Sequence, residues 1–431
     1  MNAQAKYPPA PEEVRFNPTV LVIGGGASGI ASAVKAAEAG LSVVLLEKTA
    51  ELGGKLAQIS SMYQTDLSPS QWLKKSINSL KENKKVAIYT NGSLEKVKGQ
   101  AGSFTVTLNV SGEKEEIVVG AIVVATGMEL SSKMPAPEGA DTGRFMSQME
   151  LEKKMGDFTG DSKGFVFVVK EDNFLYGMAN ALKNALKLKN AGHEVYLFYD
   201  EMKISEEKME KLYHQSRKEG VYFVRGTQNL KVGQQDNKLV VTTVDPLLPV
   251  KLAKELVINF DYFIFNEDLV PAADTKKLAE ILKVTRGPGG FFQEDNFHLE
   301  PVNSFRAGIY FVGACRMPDF LHNVQEQAGS AVNAIYQLSI ANVKSLMDQK
   351  PLIDVSKCAY CLTCYRSCPR NAIELLYGIE GAAWDGAPYV HPYACQACGS
   401  CVAECPNRAI SFPGYTDEDM KKQFSGIGGK S

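Results

Sequence analysis

The sequence predicts an α/β protein with a small, separate cysteine-rich module at its C-terminal end. Three observations carry that expectation: an apolar run leading through a glycine-rich turn into an alanine-rich helix, a second strand–helix–strand pattern between residues 164 and 198, and eight of nine cysteines crowded between Cys358 and Cys405. At roughly 150 residues per domain, 431 residues give about three domains. A 45% hydrophobic content with 22% charged residues is that of a folded globular chain. Lys and Arg number 47 against 49 Asp and Glu, so the net charge of −2 sets up no field for nucleic acid or acidic lipid. The longest apolar run, Ile117 to Ala125 around Gly120, is nine residues, short of the ~20 that cross a bilayer. The first residues, MNAQAKYPPAPEEVRF, lack the basic and apolar segments of a signal peptide, and a cytoplasmic location is expected.

At the front, Thr19 to Ile23 reads as a buried strand, and Gly24-Gly25-Gly26-Ala27-Ser28-Gly29 supplies G-x-G-x-x-G before a helix that ends near Gly40. Gly24 permits the tight turn, Gly26 lets backbone approach a pyrophosphate, and Gly29 lets the helix pack closely on the sheet. The phosphates then meet the helix N-terminus, whose free N–H groups and dipole favour anions. A second strand, Leu41 to Leu46, ends at Glu47, a carboxylate placed either to hold ribose hydroxyls or to sit solvated at a strand end.

Glu47-Lys48 leads on to Gly53-Gly54-Lys55, and Ile122 to Val124 reads as an apolar strand ending in Ala125-Thr126-Gly127. Both features resemble the two-dinucleotide-binding flavoproteins, in which the paired glycines pass near the flavin side and ATG closes the site. That resemblance implies FAD over NAD. Lys55 either approaches the isoalloxazine or stays on the surface.

Between these modules, 164–170 reads as a strand, Met178 to Lys189 as a helix and Glu194 to Phe198 as a strand, a βαβ plan. Its turn, Glu171 to Gly177, has no glycine fingerprint, so backbone there cannot approach a pyrophosphate, which argues against a nicotinamide site. Lysine-rich 203–218 is helical in character and is read as a solvated face before a docking patch. Further on, Ile309 to Val312 reads as a strand ending at Gly313-Ala314-Cys315, and Asn323 to Tyr336 as a helix. In the same flavoproteins the chain returns here to complete the FAD domain, with a positive helix end aimed at the flavin. Cys315 is a packed thiol or a flavin neighbour, and His322 is read as a solvated loop histidine.

The cysteines close the chain. Cys358, Cys361, Cys364 and Cys368 read C-x2-C-x2-C-x3-C and precede Pro369; Cys395, Cys398, Cys401 and Cys405 repeat the spacing before Pro406. CPRNAI at 368–373 matches CPNRAI at 405–410 at the same offset of 37 residues, an internal repeat. Dense cysteine in a reducing compartment points to metal or cluster ligation before disulfides. The x2 spacing wraps three thiolates around one cube, and the fourth ligates the other cluster. On this pattern one [4Fe–4S] cluster takes Cys358, Cys361, Cys364 and Cys405, and the second takes Cys395, Cys398, Cys401 and Cys368. Zinc, the rival metal, prefers two well-separated cysteine pairs.

The order of FAD fingerprint, GGKLAQ at 53–58, fingerprint-free insert with YLFYDE at 196–201, VGAC at 312–315 and tandem ferredoxin motif resembles the A subunit of heterodisulfide reductase and its bacterial relatives. The resemblance covers most of the chain. It implies an FAD-binding Rossmann-like domain of two-dinucleotide-binding flavoprotein type with an inserted α/β domain and a 2[4Fe–4S] ferredoxin domain. The expected division is 1–150 and 256–345 for FAD, 151–255 for the insert and 346–431 for the clusters. The FAD is expected on Gly24, Gly26, Ala27, Ser28, Gly29, Glu47, Lys48, Gly53, Gly54, Lys55, Ala125, Thr126, Gly127 and Gly313. Members are oxidoreductase subunits that pass electrons between flavin and clusters, and some bifurcate them at the FAD. Partners of this kind are heterodisulfide reductase B/C-like, hydrogenase-linked or ferredoxin-type proteins, in a hetero-oligomer with or without a homodimeric core. Membrane attachment would come only through such partners. The alternative is a self-contained flavin-dependent reductase of a small substrate. Larger members carry extra cysteines after the GGxxAQ region and in the insert; Tyr63 to Ser68 stands in the first place and no cysteine precedes Cys315, so one FAD and two cubanes are expected.

Overall fold

A computed structural model describes residues 15–62, 68–131, 142–169, 174–204, 208–227, 230–235, 238–244, 255–340, 350–382, 384 and 386–427. Expectations that fall on Tyr63 to Leu67 and on Glu171 to Asn173 lie outside the described residues.

The apolar run Thr19–Ile23 forms the middle of a seven-stranded sheet because both of its faces are covered. The order across the sheet is Glu294–Asn296, Glu300–Ser304, Ile309–Phe311, Ala121–Val124, Thr19–Ile23, Ser42–Leu46 and Val86–Tyr89. The last five run parallel. Alternation along Thr19–Ile23 sends Val20 and Val22 into a core shared with the helices Ala27–Glu38 and Leu321–Ile340. Leu21 and Ile23 enter a second core. That core is closed by the antiparallel strands Gly92–Gln100, Ser103–Val110 and Glu113–Val119 and by the helix Thr275–Leu282. Burial on two faces is why these strands read as solid apolar runs and not as alternating ones.

The insert repeats the logic with five parallel strands in the order Tyr222–Arg225, Glu194–Tyr199, Gly164–Val169, Tyr262–Phe265, Phe145–Ser147. The helix Phe174–Asn190 covers one face through Leu182 and Ala185. A three-stranded antiparallel sheet covers the other through Leu239, Val241 and Phe260. The expected insert limits of 151 and 255 cut this sheet, since Phe145–Ser147 and Tyr262–Phe265 both belong to it. The chain crosses between the two folds on Met128–Ser131 and Asp268–Pro271, a two-stranded antiparallel ribbon whose residues are half-buried and carry no boundary signal. Among its described residues the lysine-rich stretch is helical over Met209–Lys218, where Lys208 in the left-handed region starts the helix. His322 lies in the first turn of Leu321–Ile340, stacked on Phe320 at 6.0 Å, and not in a loop.

In the C-terminal module each cysteine run ends in a short helix, Thr363–Ser367 or Ser400–Ala403. The repeat is conformational as well as sequential. Tyr360 and Ala397, Leu362 and Gly399, and Asn371 and Arg408 are pairs 37 residues apart, and all six have positive φ. Only one of the six is glycine, so the repeat keeps a backbone path that is uncommon for residues with side chains.

The module rests on the FAD-type fold through Ala372, Tyr393 and Ala394, which join its second core. Tyr393 meets Phe16 edge-on at 6.1 Å, and Arg370 pairs with Asp295. A side chain on Gly102 would strike Tyr393, and one on Gly120 would strike Phe16. These contacts lie at the amino ends of the parallel strands. From Gly120 to Ala125, at the carboxyl end, is about 17 Å at ~3.3 Å per residue.

A Cβ on Gly29 would lie 1.7 Å from the Gly24 carbonyl oxygen, a backbone atom with no freedom to move. Gly29→Ala is expected to lower stability by about 1–3 kcal/mol, as overpacking does; thermal denaturation measured beside the wild type checks this.

Candidate functional site

The carboxyl ends of the parallel strands open into a cleft of about 1500 Å³, including its mouth. Of the residues expected to bind a dinucleotide, Gly24, Gly26, Ala27, Ser28, Glu47, Lys48, Gly54, Lys55, Ala125, Thr126 and Gly127 line it. The remaining three stand behind the lining and shape it. Gly29 packs the helix against Gly24. Gly53, with φ of 120°, donates its N–H to the Gly25 carbonyl at 2.8 Å and ties the second glycine pair to the first turn. Gly313 donates its N–H to Gln327 Oε1 at 2.8 Å.

Glu47 is buried and has a task inside the protein. Its Oε2 accepts the Gly25 N–H at 2.5 Å, while Oε1 accepts the backbone N–H and hydroxyl of Thr49 at 2.8 and 2.7 Å. The carboxylate therefore fixes the glycine turn, and its remaining lone pairs face the cleft. Burial lowers the Lys55 ammonium from its usual range, Glu129 opposes this, and Lys48 and Lys153 add to the lowering.

Two observations test whether the lining suits a flavin adenine dinucleotide. First, Gly26 has ordinary extended backbone, φ −77° and ψ −170°, and a Cβ added there would meet nothing within 4 Å. No protein contact requires glycine at 26; bare backbone at the start of a helix suits a pyrophosphate pressed against it. Second, Thr126 Oγ1 and Ser61 Oγ are buried at the cleft without a partner, and such groups call for a ligand or water. Beyond Glu47 a side slot of about 550 Å³ is walled by Ile23, Leu46, Leu94 and Leu278, with Lys48 and Lys277 at its rim. A cleft that starts at bare backbone at a helix N-terminus and runs past a carboxylate to a slot with apolar walls fits phosphates, ribose and a flat base.

Several lining residues gave no sequence signal. Ser61 and Met62 follow the second glycine pair, and Asn180 comes from the insert. The segment before Ser61 is tied to the insert by a buried ion pair, Lys183 with Glu152. Glu152 accepts the backbone N–H and hydroxyl of Ser60 at 2.8 and 2.6 Å, and Lys183 donates to the Ser61 carbonyl at 2.8 Å. The helix Leu321–Ile340 starts at the cleft as expected, and Asp319 adds a carboxylate to its positive end. That carboxylate accepts from Phe320 N, Asn323 Nδ2 and Gln327 Nε2 at 2.8, 2.7 and 2.5 Å and takes up part of the helix dipole.

Of the two readings of Cys315 the structure favours the packed thiol over the flavin neighbour, because the side chain does not face the cleft. Its thiol is 1% exposed in the core on the far side of the sheet, where Sγ donates to the Val124 carbonyl at 3.1 Å. Burial pushes its pKa up to about 12.

The other eight cysteines gather around two cavities in the C-terminal module. Cys358, Cys361, Cys364 and Cys405 line one of about 350 Å³; Cys368, Cys395, Cys398 and Cys401 line one of about 340 Å³. Each cavity thus draws three cysteines from one motif and the last from the other. Among the described residues no three His, Cys, Asp or Glu side chains form a single-ion site; each set of four sulfurs surrounds a space. The repeat extends to contacts, with Ala372 N donating to Cys368 Sγ and Ala409 N to Cys405 Sγ, both at 3.3 Å. Burial raises Cys364 to about 11 and Cys401 to about 12, and neighbouring cysteines of the same sets add to it. Binding iron as thiolate removes that cost.

Residues 18–337 match the family model described as pyridine nucleotide-disulphide oxidoreductase, and residues 350–406 match a 4Fe-4S dicluster domain. The chain is similar to the second iron-sulfur A subunit of CoB–CoM heterodisulfide reductase from Methanopyrus kandleri, 24% identical, over 87% of this chain and 73% of that protein. It is similar to the corresponding A subunit of Methanocaldococcus jannaschii at 23% identity, over 84% and 70%. Thioredoxin reductase of T. acidophilum shares its fold with a TM-score of 0.52 at 18% identity, over 76% of this chain and 100% of that one.

Two outcomes are expected from the lining. Gly26→Ala, which the protein itself has room for, should leave the melting temperature within about 2 °C of wild type, a sub-kcal/mol change, yet abolish copurifying yellow colour. Cys315 should resist alkylation by iodoacetamide at pH 8 until the protein is unfolded; peptide mapping by mass spectrometry reads this.

Proposed function

The chain belongs to the pyridine nucleotide-disulphide oxidoreductase family, and from that membership we propose a flavin and iron–sulfur electron-transfer component of a multi-subunit oxidoreductase. That the protein is an oxidoreductase with flavin and iron–sulfur domains follows from the two family matches, and its similarity to the heterodisulfide reductase A subunit extends over most of the chain. The finer reading is ours: FAD in the cleft, two [4Fe–4S] clusters with exchanged fourth ligands, and cytoplasmic partner subunits that deliver and withdraw electrons. Splitting of electron pairs at the flavin is the special case of that traffic. Among the described residues no helix is long and apolar enough to cross a membrane.

The observation that carries the reading is one dinucleotide cleft and two four-cysteine cavities in a single chain. When bound, the flavin supplies exchange of electrons in pairs or singly, and the clusters supply single-electron conduction. The protein supplies placement. Backbone N–H groups at the start of Ala27–Glu38 hold phosphate, Glu47 fixes the turn that presents them, and Lys55 sets positive charge at the flavin end. Cys315 is the only cysteine outside the C-terminal module, so no cysteine pair at the cleft can take electrons as a disulfide. Electrons that enter at the cleft are then left to the clusters or to a bound molecule. A self-contained reductase of a small substrate is the second reading, favoured by a polar crevice beside the cleft.

Exchanged ligation has a direct test. Cys361→Ala and Cys405→Ala come from different motifs, yet each should remove the same cluster, leave one identical paramagnetic signal after reduction and keep the flavin. Complementary signals in the two variants would assign each cluster to its own motif instead.

A further inference from the structure

The insert carries a crevice whose polar groups the protein leaves unsatisfied. It lies outside the carboxyl ends of Tyr262–Phe265 and Phe145–Ser147 and against the helix Phe174–Asn190, on the edge of the sheet where open α/β folds bind ligands. Asn184, on the helix Phe174–Asn190, is fully buried, and neither its Oδ1 nor its Nδ2 has a partner. Gln148 Oε1 and Asn266 Nδ2 are likewise buried and unpaired. The opposite ends of those two amides are engaged: Gln148 Nε2 donates to the Gly177 carbonyl at 3.0 Å and to Asn266 Oδ1. Two donors and two acceptors thus border one open crevice of about 430 Å³, its mouth included. Unpaired buried amides are costly, and a set of them bordering one space marks a place for a molecule that pairs with them.

The chemistry of the walls selects the ligand. Glu152 and Glu267 border the crevice and disfavour an anion. Lys183 already neutralises Glu152, and Glu267 accepts the Met149 N–H at 3.0 Å, so neither is set to draw in a cation. Gly177 offers no phosphate cradle, because a Cβ there would lie 2.0 Å from Asn266 Nδ2 and packing alone accounts for the glycine. Ile59, Leu130 and Leu269 supply apolar surface, and Ile59 and Asn180 are shared with the flavin-side cleft.

We propose that this crevice binds a small uncharged molecule through a carboxamide-like group, one that presents N–H donors and a carbonyl acceptor to Asn184, Gln148 and Asn266. The hydrocarbon part lies along Ile59 towards the cleft. A pyridine dinucleotide is not the ligand. The inference goes beyond electron transfer and uses that reading only to place a flavin next door.

The test uses flavin- and cluster-loaded protein labelled with [15N]asparagine, with propionamide, propionate and NADH as probes and the side-chain amide signals of Asn180 and Asn184 as readout. Propionamide should shift both signals saturably, and propionate and NADH should not. Asn184→Leu, or Asn184→Ser if the leucine variant folds poorly, should weaken propionamide binding read at Asn180 by about tenfold or more, the loss of two buried hydrogen bonds. No response to propionamide, an equal response to propionate, or saturable shifts with NADH would overturn the proposal. The flavin absorbance of each sample, recorded in parallel, separates failure of the crevice from failure of the flavin reading.

Discussion

The arrangement depends on a backbone-to-backbone approach at the end of the first strand. Gly24 lies so close to the Ala125 carbonyl, 2.4 Å for an added Cβ, and Gly29 so close to Gly24, that two strands and a helix N-terminus converge within one turn. No side chain can enter that junction, so what it presents to the cleft is backbone, with the unpaired Thr126 hydroxyl beside it. Glu47 secures the same turn from the neighbouring strand through Gly25, and Gly53 secures it from the following segment. A cofactor held there is bound by parts whose positions are fixed by the sheet, which is what precise placement of a redox centre requires.

The front half of this was legible because its constraints are steric and local. A glycine forced by a close approach leaves a mark at a fixed offset, and a strand buried on two faces leaves a solid apolar run. The cysteine repeat was legible for a related reason: ligation fixes both residue type and spacing. The insert was only partly legible. Its central strands read clearly, but Phe145–Ser147 and Tyr262–Phe265 are short strands whose membership of its sheet is set by pairing across 118 residues, Ser147 opposite Phe265.

Side-chain direction was the least legible feature. Cys315 follows a strand end beside Ala314, which lines the cleft, yet one residue further the chain turns the thiol into the opposite core. Asp319 gave no signal, because a carboxylate two residues before a helix reads as an ordinary capping residue; only the structure brings Gln327 and Gly313 into the same hydrogen-bonded chain. Ser61 and Asn180 reach the cleft from segments with no motif, drawn together by the Glu152–Lys183 pair. Such a pair holds the insert to the FAD-type fold at a place where removing one partner would strand a buried charge.

The cysteine module sits against the amino ends of the parallel strands, and the dinucleotide cleft opens at their carboxyl ends. The molecule therefore has two poles separated by the height of its own sheet. A molecule seated in the cleft and another seated on the cysteine module would lie at opposite ends of the parallel strands. The sheet that builds the cofactor site also serves as the spacer that keeps the two traffic points from competing for the same surface.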